Sequence, residues 1–268
     1  MILVLQISAG KMNQNGYKIF GQTGRNFDVN VCPIGALGFY LMYRFHHSRE
    51  LNDQKKKPID WTINKSWFNI KLLTKFWNTD NKECINDSTY SNAVKKICKE
   101  NKIASKHWVH IGRVLGAFEA EINEDEREDI RNLGNWGLNT QESRYSTKLP
   151  MKILRSKAHL DNNISWNPRV GLPPPKNLCL QVFPWLPNAL DDFLQQPASD
   201  NRHTAYLFLR LLENLSSVVI QDAAAFAVLY PSRMKHKVFK LSVFQSSEFV
   251  EYTASMRKTL DTSIAPWD

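Results

Sequence analysis

Hydrophobic positions recur at helical spacing along most of the chain and bunch as a strand only at its start. Residues 2–7 form an apolar run that predicts a buried strand. Gly10, Asn13, Asn15 and Gly16 supply turn chemistry, and residues 17–20 predict the returning strand of a hairpin. Pro33 opens an apolar helix over 34–45, in which Gly35 and Gly38 permit close packing, and Arg44, His46, His47 and Arg49 mark its solvated end. A polar loop with Lys55, Lys56 and Lys57 follows. Trp67, Ile70, Leu73 and Trp77, spaced by three and four, predict a core-facing helix over 64–77. Residues 91–99 predict a helix with Val94, Ile97 and Cys98 inward and Lys95, Lys96 and Lys99 outward.

The middle of the chain continues in the same way. Residues 108–122 predict a helix of small and apolar residues, among them Val109, Leu115, Ala117 and Phe118. The acidic turn at 124–129 suits the start of the next helix, where negative charge meets the helix dipole, and Gly134 ends it. Residues 140–145 begin another, and Pro150 interrupts before a helix over 152–158. Pro168 and the run Pro173-Pro174-Pro175 mark a stiff crossing. Helices are predicted beyond it near 178–183, 206–229 and 239–256. The second carries Leu207, Leu211, Leu215 and Val218 as an amphipathic stripe that also fits a partner helix. No internal repeat is visible. The pattern predicts a mainly α protein with a small N-terminal β-hairpin.

Composition narrows the function classes. The 268 residues are 43% hydrophobic with eight Trp, enough to fill a sizeable core. No apolar run approaches the ~20 residues of a bilayer span, which predicts no membrane segment. Four widely spaced Cys without a C-x-x-C pair suit a reducing compartment and argue against a zinc ribbon. The net charge is +9, and it is uneven: residues 1–160 hold 25 basic and 16 acidic residues, whereas 161–268 hold ten of each. This predicts a polyanion-facing domain over 1–160, followed by a neutral helical extension over 161–268 packed on it.

Familiar catalytic motifs are missing: there is no Walker loop, G-x-G-x-x-G, H-E-x-x-H or G-x-S-x-G. The carboxylates between Glu119 and Asp129 read as a solvated face rather than a metal site, so no cofactor or metal is expected. One ordered series does carry chemistry. Lys11 stands near the hairpin turn, His110 and Arg113 sit one helical turn apart, and Trp136 precedes Tyr145 by nine residues. Lys, His and Arg with an indole N–H can surround a phosphate while a phenol attacks it, which is the requirement of phosphotyrosyl exchange.

That series resembles the catalytic domain of tyrosine recombinases and integrases. Gly10-Lys11-Met12-Asn13, Cys32-Pro33-Ile34-Gly35, His110-Ile111-Gly112-Arg113, Leu133-Gly134-Asn135-Trp136, Pro173-Pro174-Pro175-Lys176 and Gln221-Asp222 narrow the likeness. In these words and their order the chain is similar to fungal Crypton-type recombinases. It is equally similar to the recombinase-like second domain of the DNA-binding subunit in the budding-yeast centromere-binding complex. The resemblance implies a nuclear protein with an N-terminally truncated, recombinase-like fold that binds double-stranded DNA. Lys11, Lys18, Arg25, His110, Arg113, Trp136 and Arg144 are the expected DNA contacts. The recombinase pattern places a first catalytic Arg before the hairpin and Asn135 stands where a basic residue is usual, so the expected domain is catalytically inactive. The alternatives are an active recombinase using Tyr145 when completed by upstream residues, and a protein-interaction module. A homo-oligomer or protein contact is expected through residues 176–256.

Overall fold

The computed structural model describes residues 1–7, 19–47, 59–74, 84–104, 108–134, 151–160, 168–195 and 203–263. In chain order they form β1 (Ile2–Ile7), β2 (Ile19–Gly24), α1 (Pro33–His47), α2 (Asn64–Trp67), α3 (Asp87–Glu100), α4 (Ile111–Ile122), α5 (Arg127–Gly134) and α6 (Met151–Lys157). Then come α7 (Pro168–Gly171), α8 (Lys176–Val182), α9 (Leu186–Leu194), α10 (His203–Leu229) and α11 (Ser247–Ser263). The protein is mainly helical with one small two-stranded antiparallel sheet. Two compact units are interleaved in sequence: Met1–Ile34 with Asp87–Asn167, and Gly35–Asn86 with Pro168–Asp268.

In the first unit β1 pairs with β2 from Ile2↔Gly24 to Ile7↔Ile19. The apolar run is not a buried strand, since Val4 is 40% and Leu5 55% exposed. A two-stranded ribbon has two faces and few neighbours, so side chains on both faces remain in solvent. The end of the ribbon is tied down. Phe27 N–H donates to the Ala158 carbonyl (2.7 Å) and Asn26 Nδ2 to that of Lys157 (3.1 Å). Across the helices of this unit Ala120, Ile130 and Ile153 form a small core, with Ala117 packed against it. Ala117 and Ala120 are small residues on α4, and they let Ile130 of α5 and Ile153 of α6 approach closely. Leu115 and Phe118 lie on the other face of α4 at 50% and 58% exposure. On α3 Cys98 is buried as expected, Val94 is half-buried, and Ile97 is exposed.

The second unit is organised by α10. Its inward stripe runs through Ala205, Leu209, Leu212, Leu215, Val219 and Ala223, all fully buried. The predicted stripe was rotated from this one: Leu215 and Val218 are buried, but Leu207 is 52% exposed. By length and composition α10 could cross a bilayer, yet most of that stretch is enclosed by the unit's other helices. Gly38 of α1 makes a close crossing, where a Cβ would lie 2.8 Å from Val219 Cγ2. Arg169 of α7 and Asp222 of α10 form a buried ion pair, Nε to Oδ1 3.0 Å. Beside it the Leu172 carbonyl accepts from Gln221 Nε2 (3.0 Å) and Tyr252 Oη (2.8 Å), fixing the entry to the proline crossing.

Two predicted helices end elsewhere. The helix over 64–77 stops at Trp67, where Ile70 N–H turns back to the Trp67 carbonyl (2.9 Å). Tyr40 Oη donates to the Leu72 carbonyl (2.8 Å) and Arg44 to that of Lys71 (3.0 Å). Trp77 lies outside the described residues. Trp67 still packs in an aromatic cluster, with Trp61 between it and Trp185, and Trp61 and Trp185 stack at 5.3 Å. The helix predicted over 239–256 begins only at Ser247, after three successive 3-10 turns. Ser246 Oγ accepts from Phe249 N–H (3.2 Å), a side-chain cap that sets the start.

The buried ion pair yields the first prediction. Asp222→Ala leaves the Arg169 charge uncompensated in the interior and should cost about 3–5 kcal/mol of stability. The double variant Arg169→Met/Asp222→Leu should recover most of that loss. Urea unfolding followed by tryptophan fluorescence checks both; equal midpoints for wild type and Asp222→Ala would refute the role.

Candidate nucleic-acid interface

A 3-10 turn, Trp108–His110, leads into α4, and His110 stands at the helix N-cap position. Arg113 follows one turn later. Steps of three and four continue the same face through Val114, Ala117, Phe118 and Glu121, as a 3.6-residue period requires. These six residues line a shallow concavity of about 500 Å³. His110 and Arg113 are both exposed rather than packed in the core. The described walls are only partly basic. Val114 and Phe118 make much of them apolar, and Glu121 adds a carboxylate.

The remaining predicted residues fare differently. Lys11, Lys18, Trp136, Arg144 and Tyr145 lie outside the described residues. Arg25, expected on the DNA-facing surface, is buried at 4% exposure. It follows directly on β2, and its backbone N–H donates to the Met1 carbonyl (3.2 Å), which draws its side chain inward with the end of the ribbon. Burial, then the nearby Arg25 charge, hold the Met1 amine below its ordinary pKa. A guanidinium in that position is a structural cation. Sequence gave no warning of it, because an Arg after a turn is usually solvated.

The reverse side of α4 shows what the acidic residues do. Lys157 Nζ bonds Glu119 Oε2 (2.9 Å) and donates to the Gly116 carbonyl, while His159 Nε2 lies 3.3 Å from Glu119 Oε1. Ser156 Oγ donates to Asp125 (2.9 Å), and Lys152 pairs with Glu126 at 3.2 Å. These contacts clamp the end of α6 onto α4 and the acidic turn. Among the described residues no group of His, Cys, Asp and Glu could hold a metal ion.

Charge follows the compact units differently from the division at residue 160. Counted over whole units, the first holds 16 basic and 12 acidic residues and the second 19 and 14. The excess is therefore +4 and +5, and both units present net positive charge. Segment Gly35–Asn86, with its many lysines, belongs by contacts to the unit containing the C-terminal helices.

These features define a basic, mainly helical protein of two units, with a His-x-x-Arg pair exposed on one helix. The family model for the centromere DNA-binding protein complex CBF3 subunit, domain 2, matches residues 1–250, and the chain belongs to that family. Comparison with curated proteins found no match.

The Glu119 clamp yields a pH prediction. The Lys157 hydrogen bond first, then His159, hold the Glu119 carboxyl below its ordinary pKa of 4.5, against an opposing effect of burial. A depressed carboxylate adds stability above its unfolded pKa and loses it as pH falls through the folded value. Stability should therefore drop below about pH 4.5, and Glu119→Gln should flatten that acid limb. Thermal melts from pH 3 to 7 check this; parallel curves for the two proteins would contradict it.

Proposed function

We propose that this protein binds duplex DNA, with little sequence preference, through a recombinase-like domain that does not cut it. The observation that carries the reading is the match of residues 1–250 to a domain named for a centromere DNA-binding complex. A net charge of +9 and the exposed His110–Arg113 pair support it, since non-specific binding is driven largely by counterion release from phosphates. Lys11, Lys18, Trp136 and Arg144 complete the proposed contact set around His110 and Arg113, with Tyr145 a relic of the recombinase pattern. Arg25 is left out because it is buried. A subunit of a centromere-binding complex works in the nucleus.

The lack of cleavage rests on charge. A pentavalent phosphorane needs concentrated cationic donors. Beside His110 and Arg113 the described wall offers a carboxylate, Glu121, and apolar Val114 and Phe118. Such a wall can tolerate a phosphate at its rim but works against the extra negative charge of a transition state. A second reading concerns protein partners. Leu180, Leu194, Leu207 and Val250 are exposed within or beside residues 176–256, at 42% to 68%. That supports a protein contact on the helices of the second unit, as in a multi-subunit complex.

Binding should fall steeply with salt. If ~6 phosphates are contacted, log K against log salt should have a slope near −5, and a slope near zero would refute the reading. Arg113→Ala should weaken binding by roughly 1–3 kcal/mol, as for loss of a charge-assisted phosphate contact. Incubation with a nicked suicide duplex should leave no covalent protein–DNA band. A band that disappears in Tyr145→Phe would establish an active recombinase instead.

A further inference from the structure

Beyond α10 the chain makes a strap, residues 231–240, of two 3-10 turns, Pro231–Lys235 and Lys237–Lys240, joined by His236 in extended geometry. Arg233, Lys235, Lys237 and Lys240 are all exposed on it. No Asp or Glu occurs between Asp222 and Glu248, so this stretch is the most one-signed part of a region that balances overall.

The strap is built to hold its shape. Phe239 is buried and meets Phe39 edge-on at 5.3 Å, Phe226 at 5.9 Å and Phe244 at 5.5 Å. His236 Nδ1 accepts from Val238 N–H (3.3 Å), and Gln245 Nε2 donates to the Phe239 carbonyl (2.8 Å). Lys237 Nζ lies 4.6 Å from the centroid of the Tyr43 ring, a cation–π contact that limits its freedom. Apolar anchors thus face in and cations face out on a fixed backbone.

Among the described residues the adjoining elements offer no ion pair to Arg233, Lys235 or Lys240. Phe39 and Tyr43 belong to α1, which contains no Asp or Glu. Phe244 leads to α11, whose first carboxylate, Glu248, is engaged by Asn177 Nδ2 at 3.3 Å. The helix dipole at the end of α10 favours a cation, but its effect falls off within a turn, which leaves Lys240 unexplained. Solubility requires no rigid display.

We propose that the strap, through Arg233, Lys235 and Lys240, is a phosphate-contacting surface for duplex DNA on the second unit. This rests on the DNA-binding reading above and adds a surface separate from the His110–Arg113 face. Its ligand is the sugar–phosphate backbone, because single flexible cations without base-reading amides position a duplex without specifying sequence.

The test uses the full chain and a labelled ~30-bp duplex of arbitrary sequence, with anisotropy titrations at several salt concentrations. The triple variant Arg233→Gln/Lys235→Gln/Lys240→Gln spares Lys237, which packs on Tyr43. It should bind at least ~10-fold more weakly near 0.1 M salt, with a slope shallower by about 2–3. The corresponding Lys235→Arg/Lys240→Arg variant should bind like wild type. Circular dichroism melts should coincide for all three proteins; a triple variant that melts early is replaced by the single Lys240→Gln, expected to shift the slope by about 0.9. Wild-type binding with an unchanged slope in the charge-removal variant overturns the strap and leaves the general reading standing. Loss of sedimentation with phosphatidylserine vesicles at unchanged DNA affinity also overturns it, in favour of a lipid surface. Absence of wild-type binding overturns both.

Discussion

The buried Arg169–Asp222 pair is the constraint on which the second unit depends. Two opposite charges taken out of water are tolerable only with close geometry and further polar partners, so the pair fixes α7 against one position of α10. Three residues on, the Leu172 carbonyl is held from two directions, by Gln221 of α10 and Tyr252 of α11. Immediately afterwards three prolines remove donors and stiffen the chain. The crossing therefore enters α8 in one direction, and α8 lies beside the buried face of α10. Hydrophobic burial supplies most of the energy here, but it is non-directional. The ion pair and the shared carbonyl supply register.

Close helix approach shows how far the sequence could be read. Element types along the chain follow from periodicity, and α3, α4, α6 and α10 lie near their expected positions. Which face each helix buries was less legible. On α4 the apolar residues read from the sequence carried no facing: Ala117 and Ala120 make the contact with Ile130 and Ile153, while Leu115 and Phe118 are exposed. Small side chains win because they allow backbones to approach, and the area buried along the whole contact exceeds that of one large residue. The same logic holds at Gly38, which periodicity alone marked correctly as a packing position. Helix ends were the least legible. The stop of α2 at Trp67, and the tertiary bonds by which α1 holds the Lys71 and Leu72 carbonyls beyond it, are contained in no local window.

Charge was legible as a sum and hidden as a pattern. Dividing at residue 160 gave a basic half and a neutral half, yet the compact units exchange segment Gly35–Asn86 and share the excess almost evenly. Averaging over 161–268 also concealed the strap, because Asp191, Asp192, Asp200 and Glu213 offset its cations in the count while lying elsewhere in the chain. Electrostatic attraction to a polyanion acts over a Debye length of roughly 10 Å, so local sign matters more than a half-chain balance. Arg25 illustrates the converse. It counts as a basic residue in the sum but is buried beneath the ribbon, where it offers nothing to an external anion.

Under the proposed reading, in which DNA is bound and not cut, the two tasks ask different things of the same concavity. A phosphate contact needs one or two well-placed cations at an exposed surface, and His110 with Arg113 meets that need without help from the apolar wall behind them. Stabilising a phosphorane is a different demand, since donors must converge where charge grows and must do so in a site from which opposing charge is excluded. Glu121, two turns beyond Arg113 on the same face, places negative charge along that wall. An apolar floor with a mixed-sign rim lowers the field available to a reacting phosphate far more than it lowers the attraction of a whole duplex. Long-range attraction sums over every exposed cation of both units, whereas transition-state stabilisation depends on the few within hydrogen-bond reach. That difference is the physical ground on which the proposal separates holding DNA from breaking it.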